Sequence, residues 1–81
     1  MLNRLGYKLL GGQHVDEAIA IFQLNVEAYP DAANTYDSLG KAFMARGDTA
    51  LAIANYERSL ELDPDNANAV AMLERLRATE P

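Results

Sequence analysis

Residues 31–64 read DAANTYDSLGKAFMARGDTALAIANYERSLELDP, and much of that pattern recurs 34 positions earlier and, in part, 34 positions later. Within it Tyr36, Leu39, Phe43 and Met44 fall three and four apart, the spacing of one helix face. Asp31 is the expected N-cap of that helix. Gly47 interrupts it with a residue free to take the left-handed conformation that ends helices, and Asp48 follows as the N-cap of a second. Leu51, Ala52, Ile53, Tyr56 and Leu60 carry this second helix until Pro64 forbids its continuation. The stretch is a helical hairpin.

Sliding the sequence against itself by 34 residues gives 11 identities in 47 aligned pairs, where chance pairing at this composition gives about 3 or 4. Leu5-Gly6 aligns with Leu39-Gly40, Ala18-Ile19-Ala20 with Ala52-Ile53-Ala54, and Pro30-Asp31 with Pro64-Asp65. Leu9, Leu10, Phe22 and Val26 face Phe43, Met44, Tyr56 and Leu60. The first copy therefore reads as a helix carrying Leu2, Leu5, Leu9 and Leu10, a Gly11-Gly12 break, and a second helix from Val15 to Ala28. Gly11-Gly12-Gln13 stands where the second copy has Arg46-Gly47, which predicts a looser first turn. A fifth helix, Asn66 to about Ala78, repeats the front half of the unit. The expected fold is all-α, with five helices in one domain. Its first unit is 1–30, truncated at its start, its second 31–64, and 65–81 form a capping helix and tail.

Composition fits that reading. The 81 residues are one domain's length, 49% of them are apolar, and 14 are alanine, which favours close helix crossings. With no cysteine, neither disulfides nor thiolate metal sites can supplement the core. A net charge of −5 disfavours nucleic acid as a partner. No apolar run reaches membrane-spanning length, no membrane partner is expected, and no signal segment that would name a compartment opens the sequence.

The repeat resembles the tetratricopeptide repeat, 34 residues with the pattern W-x2-L-G-x2-Y, then A-x3-F, then P. The second copy offers Tyr36, Leu39, Gly40, Phe43, Ala52, Tyr56 and Pro64; the first offers Leu2, Leu5, Gly6, Leu9, Ala18, Phe22 and Pro30. Gly47 and Ser59 suit the family's small positions, whereas Gln13 and Asn25 depart from them. The resemblance implies an α-α superhelix of two hairpins plus a C-terminal capping helix, and a concave wall built from the first helix of each unit. Gly6 and Gly40, each costing about 1 kcal/mol mid-helix relative to alanine, mark sites where a neighbour comes too close for a Cβ. Ala18 and Ala52 are the expected small partners there. More narrowly, Leu5–Leu10, Asp16–Ile19, Leu24–Glu27 and Tyr36–Gly40 look like a bacterial subgroup in which two such repeats follow a serine-hydrolase or β-lactamase-like domain. By that resemblance the segment is expected to be a C-terminal module.

Catalytic motifs have blander explanations. Ser38-x-x-Lys41 matches one β-lactamase signature, but no S-D-N or K-T-G string accompanies it; a solvated helix face, with Asp37 pairing Lys41, is the expected role. His14, the one histidine, reads as a capping or exposed turn residue. Asp63-x-Asp65 opens like an EF-hand loop, yet Ala67 and Asn68 fall where a ligand and a glycine are required. No enzyme activity, metal or cofactor is expected.

Partner binding is expected instead. By the resemblance, the concave positions are Asn3, Tyr7 and Leu10, then Asn34, Asp37, Lys41 and Met44, then Asn68 and Arg75. The carboxylate clamp of some family members would fall on Asn3, Tyr7, Ser38, Asn68 and Met72, which lack the basic residues it needs. Residues 1–15 carry Arg4 and Lys8 without an acid, a local +2, against −7 in the rest. Met72 and Leu76 extend the apolar arc of the last helix and either complete the core or make an end contact. The expectation is a non-catalytic interaction module for a protein, a peptide or another domain of the same chain. The alternative is a structural or dimerisation appendage of a larger enzyme, and the oligomeric state expected is monomer or weak homodimer.

Overall fold

The computed structural model describes residues 3–78; Leu2, the first motif position, and residues 79–81 of the expected tail lie outside the described residues. Five helices follow in order: α1 Asn3–Gly11, α2 Val15–Ala28, α3 Ala33–Arg46, α4 Thr49–Leu62 and α5 Ala67–Ala78. Each packs on the next, and α1 also reaches α3. Two antiparallel hairpins and a closing helix thus stack in sequence order, as the repeat requires.

The turn inside each hairpin is built the same way. Gly47 takes φ 86°, its N–H bonds Met44 O at 3.0 Å, and the Asp48 N–H bonds Phe43 O at 2.9 Å. These two bonds close the last turn of α3 around a left-handed residue. Asp48 then caps α4, accepting from Leu51 N at 3.3 Å. The first turn is not looser, contrary to the sequence expectation. Gln13 N bonds Leu10 O at 3.1 Å and His14 N bonds Leu9 O at 2.8 Å, with Gln13 itself at φ 66°. The glycines at 11 and 12 are not the left-handed residue; a glutamine is, and for a side chain with a Cβ that conformation is unfavourable. Gln13→Gly is expected to raise stability by about 0.5 kcal/mol, less than the strain relieved because glycine also loosens the unfolded chain. The thermal midpoint should rise by about 2–4 °C; a fall would mean that the Gln13 side chain makes a contact that matters.

The joints between units differ from expectation by one residue. The N-cap of α3 is Ala32, with no side-chain cap bond, not Asp31. After Pro30, a turn bonding Ala32 N to Tyr29 O at 3.1 Å delays the start of α3 past the reach of Asp31. At the next joint the equivalent residue is Asn66, and its Oδ1 does accept from Ala69 N at 3.2 Å. Asp63 shapes the turn ahead of it by accepting from Asp65 N at 3.2 Å.

Phe22 and Tyr56, 0% and 1% exposed, are the pivots of the two hairpins. A Cβ on Gly6 would collide with Cε1 of Phe22 and lie 2.6 Å from its Cζ, and one on Gly40 would lie 3.0–3.1 Å from three Tyr56 ring atoms. The space opened by each glycine is therefore taken by an aromatic ring, and Ala18 and Ala52 are fully buried in the same core. Ile19, Leu39, Ala42, Phe43, Ala69, Leu73 and Leu76 complete the core. Its buried polar side chains are satisfied: Ser59 Oγ donates to Ala33 O at 2.9 Å and accepts from Asn66 Nδ2 at 2.9 Å. In the first unit Asn25, at the position of Ser59, donates to Asn3 Oδ1 at 2.9 Å. Among the described residues no buried side-chain nitrogen or oxygen lacks a partner, as the cost of an unpaired buried polar group requires.

Candidate functional site

The first helices α1, α3 and α5 stand side by side and enclose a cleft of about 450 Å³. Leu10 of α1, Met44 and Ala45 of α3 and Met72 of α5 give it apolar walls, and the edge of Tyr56 reaches it from α4. Lys41, Asn68 and Arg75 bring polar groups to the same space. Lys41 and Arg75 are one repeat apart in sequence, so the superhelix presents their charges from equivalent places on neighbouring helices. Neither forms an ion pair among the described residues, whose carboxylate pairs involve His14, Arg46, Arg58 and Arg77. Lys41 Nζ sits 5.4 Å from the Tyr7 ring centroid.

Around the cleft a polar frame fixes helix to helix. Tyr7 OH and Ser38 Oγ are hydrogen-bonded at 2.9 Å, and the Tyr7 ring meets Phe22 edge-on at 5.1 Å. Asn68 Nδ2 donates to Asp37 Oδ1 at 2.9 Å and Oδ2 at 3.2 Å, joining α5 to α3. Burial first, then the Asp37 carboxylate and then Tyr7, push the Tyr56 phenol above the usual tyrosine range, so it stays neutral and donates weakly to Met44 Sδ at 3.8 Å. The apolar floor and its positive rim suit a ligand with a hydrophobic side chain and a carboxylate.

A family profile described as "TPR repeat" matches residues 40–70. The helical repeat is thus like a tetratricopeptide repeat, the matched stretch running from α3 through α4 into α5. Superkiller complex protein 3 of Mus musculus is 36% identical over 69 residues, 85% of this chain and 4% of that protein. Hsp70-Hsp90 organizing protein of Triticum aestivum is 44% identical over 57 residues, 70% of this chain and 10% of that protein. Cellulose synthase operon protein C of Escherichia coli is 40% identical over 52 residues, 64% of this chain and 4% of that protein. The chain thus spans a tenth or less of the length of these relatives, which come from an animal, a plant and a bacterium.

The cleft lies between residues of α1, α3 and α5, with Tyr56 of α4. Of the residues singled out from the sequence, Leu10, Lys41, Met44, Asn68 and Arg75 line it. Asp37 is not a partner of Lys41 but the acceptor that holds Asn68, and Tyr7 acts as the platform under Lys41. Asn3 is turned to Asn25 at the α1–α2 crossing, and Asn34 is exposed outside the lining. Ser38 is not on a solvated face: it is 3% exposed and bonded to Tyr7. The pair proposed for an end contact separates, because Leu76 is 7% exposed within the core while Met72 lines the cleft. Aligning α5 with α3 gives a signal for Leu76, which falls on buried Ala42, but none for Met72, which falls on Ser38, itself buried. Ala45 and Tyr56 were missed as lining residues: Tyr56 is itself a motif position that reads as core, and Ala45 is a small residue outside the motif.

Proposed function

We propose that this chain is a non-catalytic protein-interaction module whose tetratricopeptide cleft takes a peptide segment carrying an apolar side chain beside a carboxylate. The observation that carries this reading is the pair Lys41 and Arg75, without ion pairs among the described residues, over a floor of Leu10, Met44 and Met72. In a chain of net charge −5, two such cations at one apolar cleft are out of keeping with the average surface. Similarity to the Hsp70-Hsp90 organizing protein and to a protein named for the Superkiller complex supports an interaction role. The cleft volume lies within the range of about 300–1,000 Å³ usual for ligand sites, which suits one or two side chains of a peptide.

A titration of the labelled chain with a Leu-Asp-Leu-Glu-type peptide tests this. Methyl signals of Leu10, Met44 and Met72 should shift, and Lys41→Ala with Arg75→Ala should weaken binding by about 3–10-fold, the value of two exposed charge pairs. Shifts that spare those methyls, or affinity unchanged in the double variant, refute the cleft. No response there would favour the alternative, a structural or dimerisation appendage of a larger enzyme without a peptide ligand of its own. The subgroup of modules following a hydrolase-like domain belongs to that alternative.

A further inference from the structure

Tyr7, Lys41 and Arg75 stand 34 residues apart, at one place of the repeat on α1, α3 and α5. The row is a tyrosine followed by two cations, and the two cations are held differently. Lys41 Nζ lies over the Tyr7 ring, 5.4 Å from its centroid, within the distance at which an ammonium is drawn to the negative face of an aromatic ring. Arg75 has no ring beneath it among the described residues. Lys41 has a second candidate partner in Asp37, four residues before it on the same helix. That carboxylate is taken by Asn68 Nδ2, which lies 2.9 and 3.2 Å from its two oxygens. Lys41 is therefore left on the ring with its charge uncancelled.

Tyr7 is itself fixed from two sides. Its hydroxyl and Ser38 Oγ share a hydrogen bond of 2.9 Å, and its ring meets Phe22 at 5.1 Å with 65° between the planes. Ser38 is 3% and Phe22 0% exposed, so buried groups of α3 and α2 pin a ring carried by α1. Lys41 lines the cleft and Tyr7 does not. The ring thus holds the ammonium without filling the space a ligand would enter, and Lys41 reaches the cleft without leaving the ring. A lysine gives up much rotamer freedom when it is fixed on a partner; one already fixed gives up less.

Taking the cleft as the peptide site, as proposed above, we infer that Tyr7 sets its preference for a carboxylate. It is a positioning residue: the face of its ring holds Lys41 where an incoming carboxylate finds it, and Tyr7 acts through Lys41 rather than on the ligand. Arg75 adds a charge that Tyr7 does not organise.

Two rings of the same shape separate this role from simple packing. Tyr7→Phe keeps the negative ring face, pentafluorophenylalanine at position 7 reverses it, and neither carries the hydroxyl. Each protein is titrated with the peptide Leu-Asp-Leu-Glu and with its amide analogue Leu-Asn-Leu-Gln, both C-terminally amidated, and the ratio of the two affinities is read. The native chain should favour the acidic peptide, and Tyr7→Phe should keep most of that ratio. The fluorinated ring should lower it about two- to fourfold, while affinity for the amide peptide and the circular dichroism spectrum stay as in Tyr7→Phe. Lys41→Gln should lower the ratio beside the phenylalanine and hardly change it beside the fluorinated ring. Arg75→Gln should lower it equally beside both. An equal ratio with the two rings would overturn the inference, because Lys41 would then not depend on the ring. So would a fluorinated variant that loses both peptides alike, which would make Tyr7 a packing residue only. A native chain that binds the two peptides equally, or binds neither, would refute the cleft as a carboxylate site, and the role of Tyr7 with it.

Discussion

Truncating Tyr56 to alanine is expected to leave the chain barely folded, whereas Tyr56→Phe should leave it close to its original stability. The ring is 1% exposed between α3 and α4, against Gly40, and no neighbour can collapse into its place without moving a helix. Loss of such a side chain costs about 3–5 kcal/mol, against a total of about 4–12 kcal/mol for a domain of this length. The hydroxyl adds little, because its bond goes to the weak acceptor Met44 Sδ at 3.8 Å. Urea unfolding followed by circular dichroism checks both variants; an alanine variant with an unchanged midpoint would mean the ring is not the pivot of the hairpin. Alkaline pH gives a second readout. Burial and the Asp37 carboxylate raise the Tyr56 phenol, so above about pH 10 the unfolded chain releases this proton while the folded chain keeps it. Its contribution is constant below that pH and is lost as pH rises, at up to about 1.4 kcal/mol per pH unit. Tyr56→Phe should lack this component.

The fold was legible because the repeat states each element twice. Val15–Ala28 is bounded by Pro30 in one copy and confirmed by Pro64 in the other, and α2 has those limits in the structure. Readings failed where a decision depends on a single residue's geometry. Asp31 is a good cap by type, but the turn after Pro30 sets the helix start one residue later. Gln13 carries the left-handed conformation beside two glycines because the two closing hydrogen bonds, not the residue type, fix which position must turn. The cleft was half legible for a similar reason. Helix periodicity puts Met72 and Leu76 on one face, yet a rotation of about 40° between residues four apart sends one to the cleft and the other to the core. Ser38 reads as polar and therefore exposed, and only the approach of Tyr7 from α1 explains its burial. In each case the missing information is which neighbouring helix lies over the residue.

Gly6→Ala and Gly40→Ala make the same chemical change at equivalent positions and should differ in outcome. Each gains about 1 kcal/mol of helix propensity and meets an overpacking penalty of about 1–3 kcal/mol. At Gly40 the new methyl lies 3.0–3.1 Å from the Tyr56 ring, so a shift of a few tenths of an ångström relieves most of the clash and the net change should stay within about 1 kcal/mol. At Gly6 the methyl enters the Phe22 ring, with Cζ at 2.6 Å and Cδ1 at 2.8 Å, and Phe22 is fully buried. A net loss of about 2 kcal/mol is expected there. Its size has a ceiling, because α1 lies at the end of the stack and can undock from α2, whereas α3 is held between α2 and α4. Gly6→Ala should therefore speed hydrogen exchange throughout α1 while α3 to α5 keep their protection, a local opening. Phe22→Leu, which removes Cε1 and Cζ, the two nearest ring atoms, and leaves a freely rotating Cδ in place of the rigid ring edge, should restore α1 protection in the double variant with a coupling of about 1–2 kcal/mol. A Gly6→Ala protein with α1 amides as protected as before would mean the crossing is wider than the ring contact requires, and the glycine would then need another explanation.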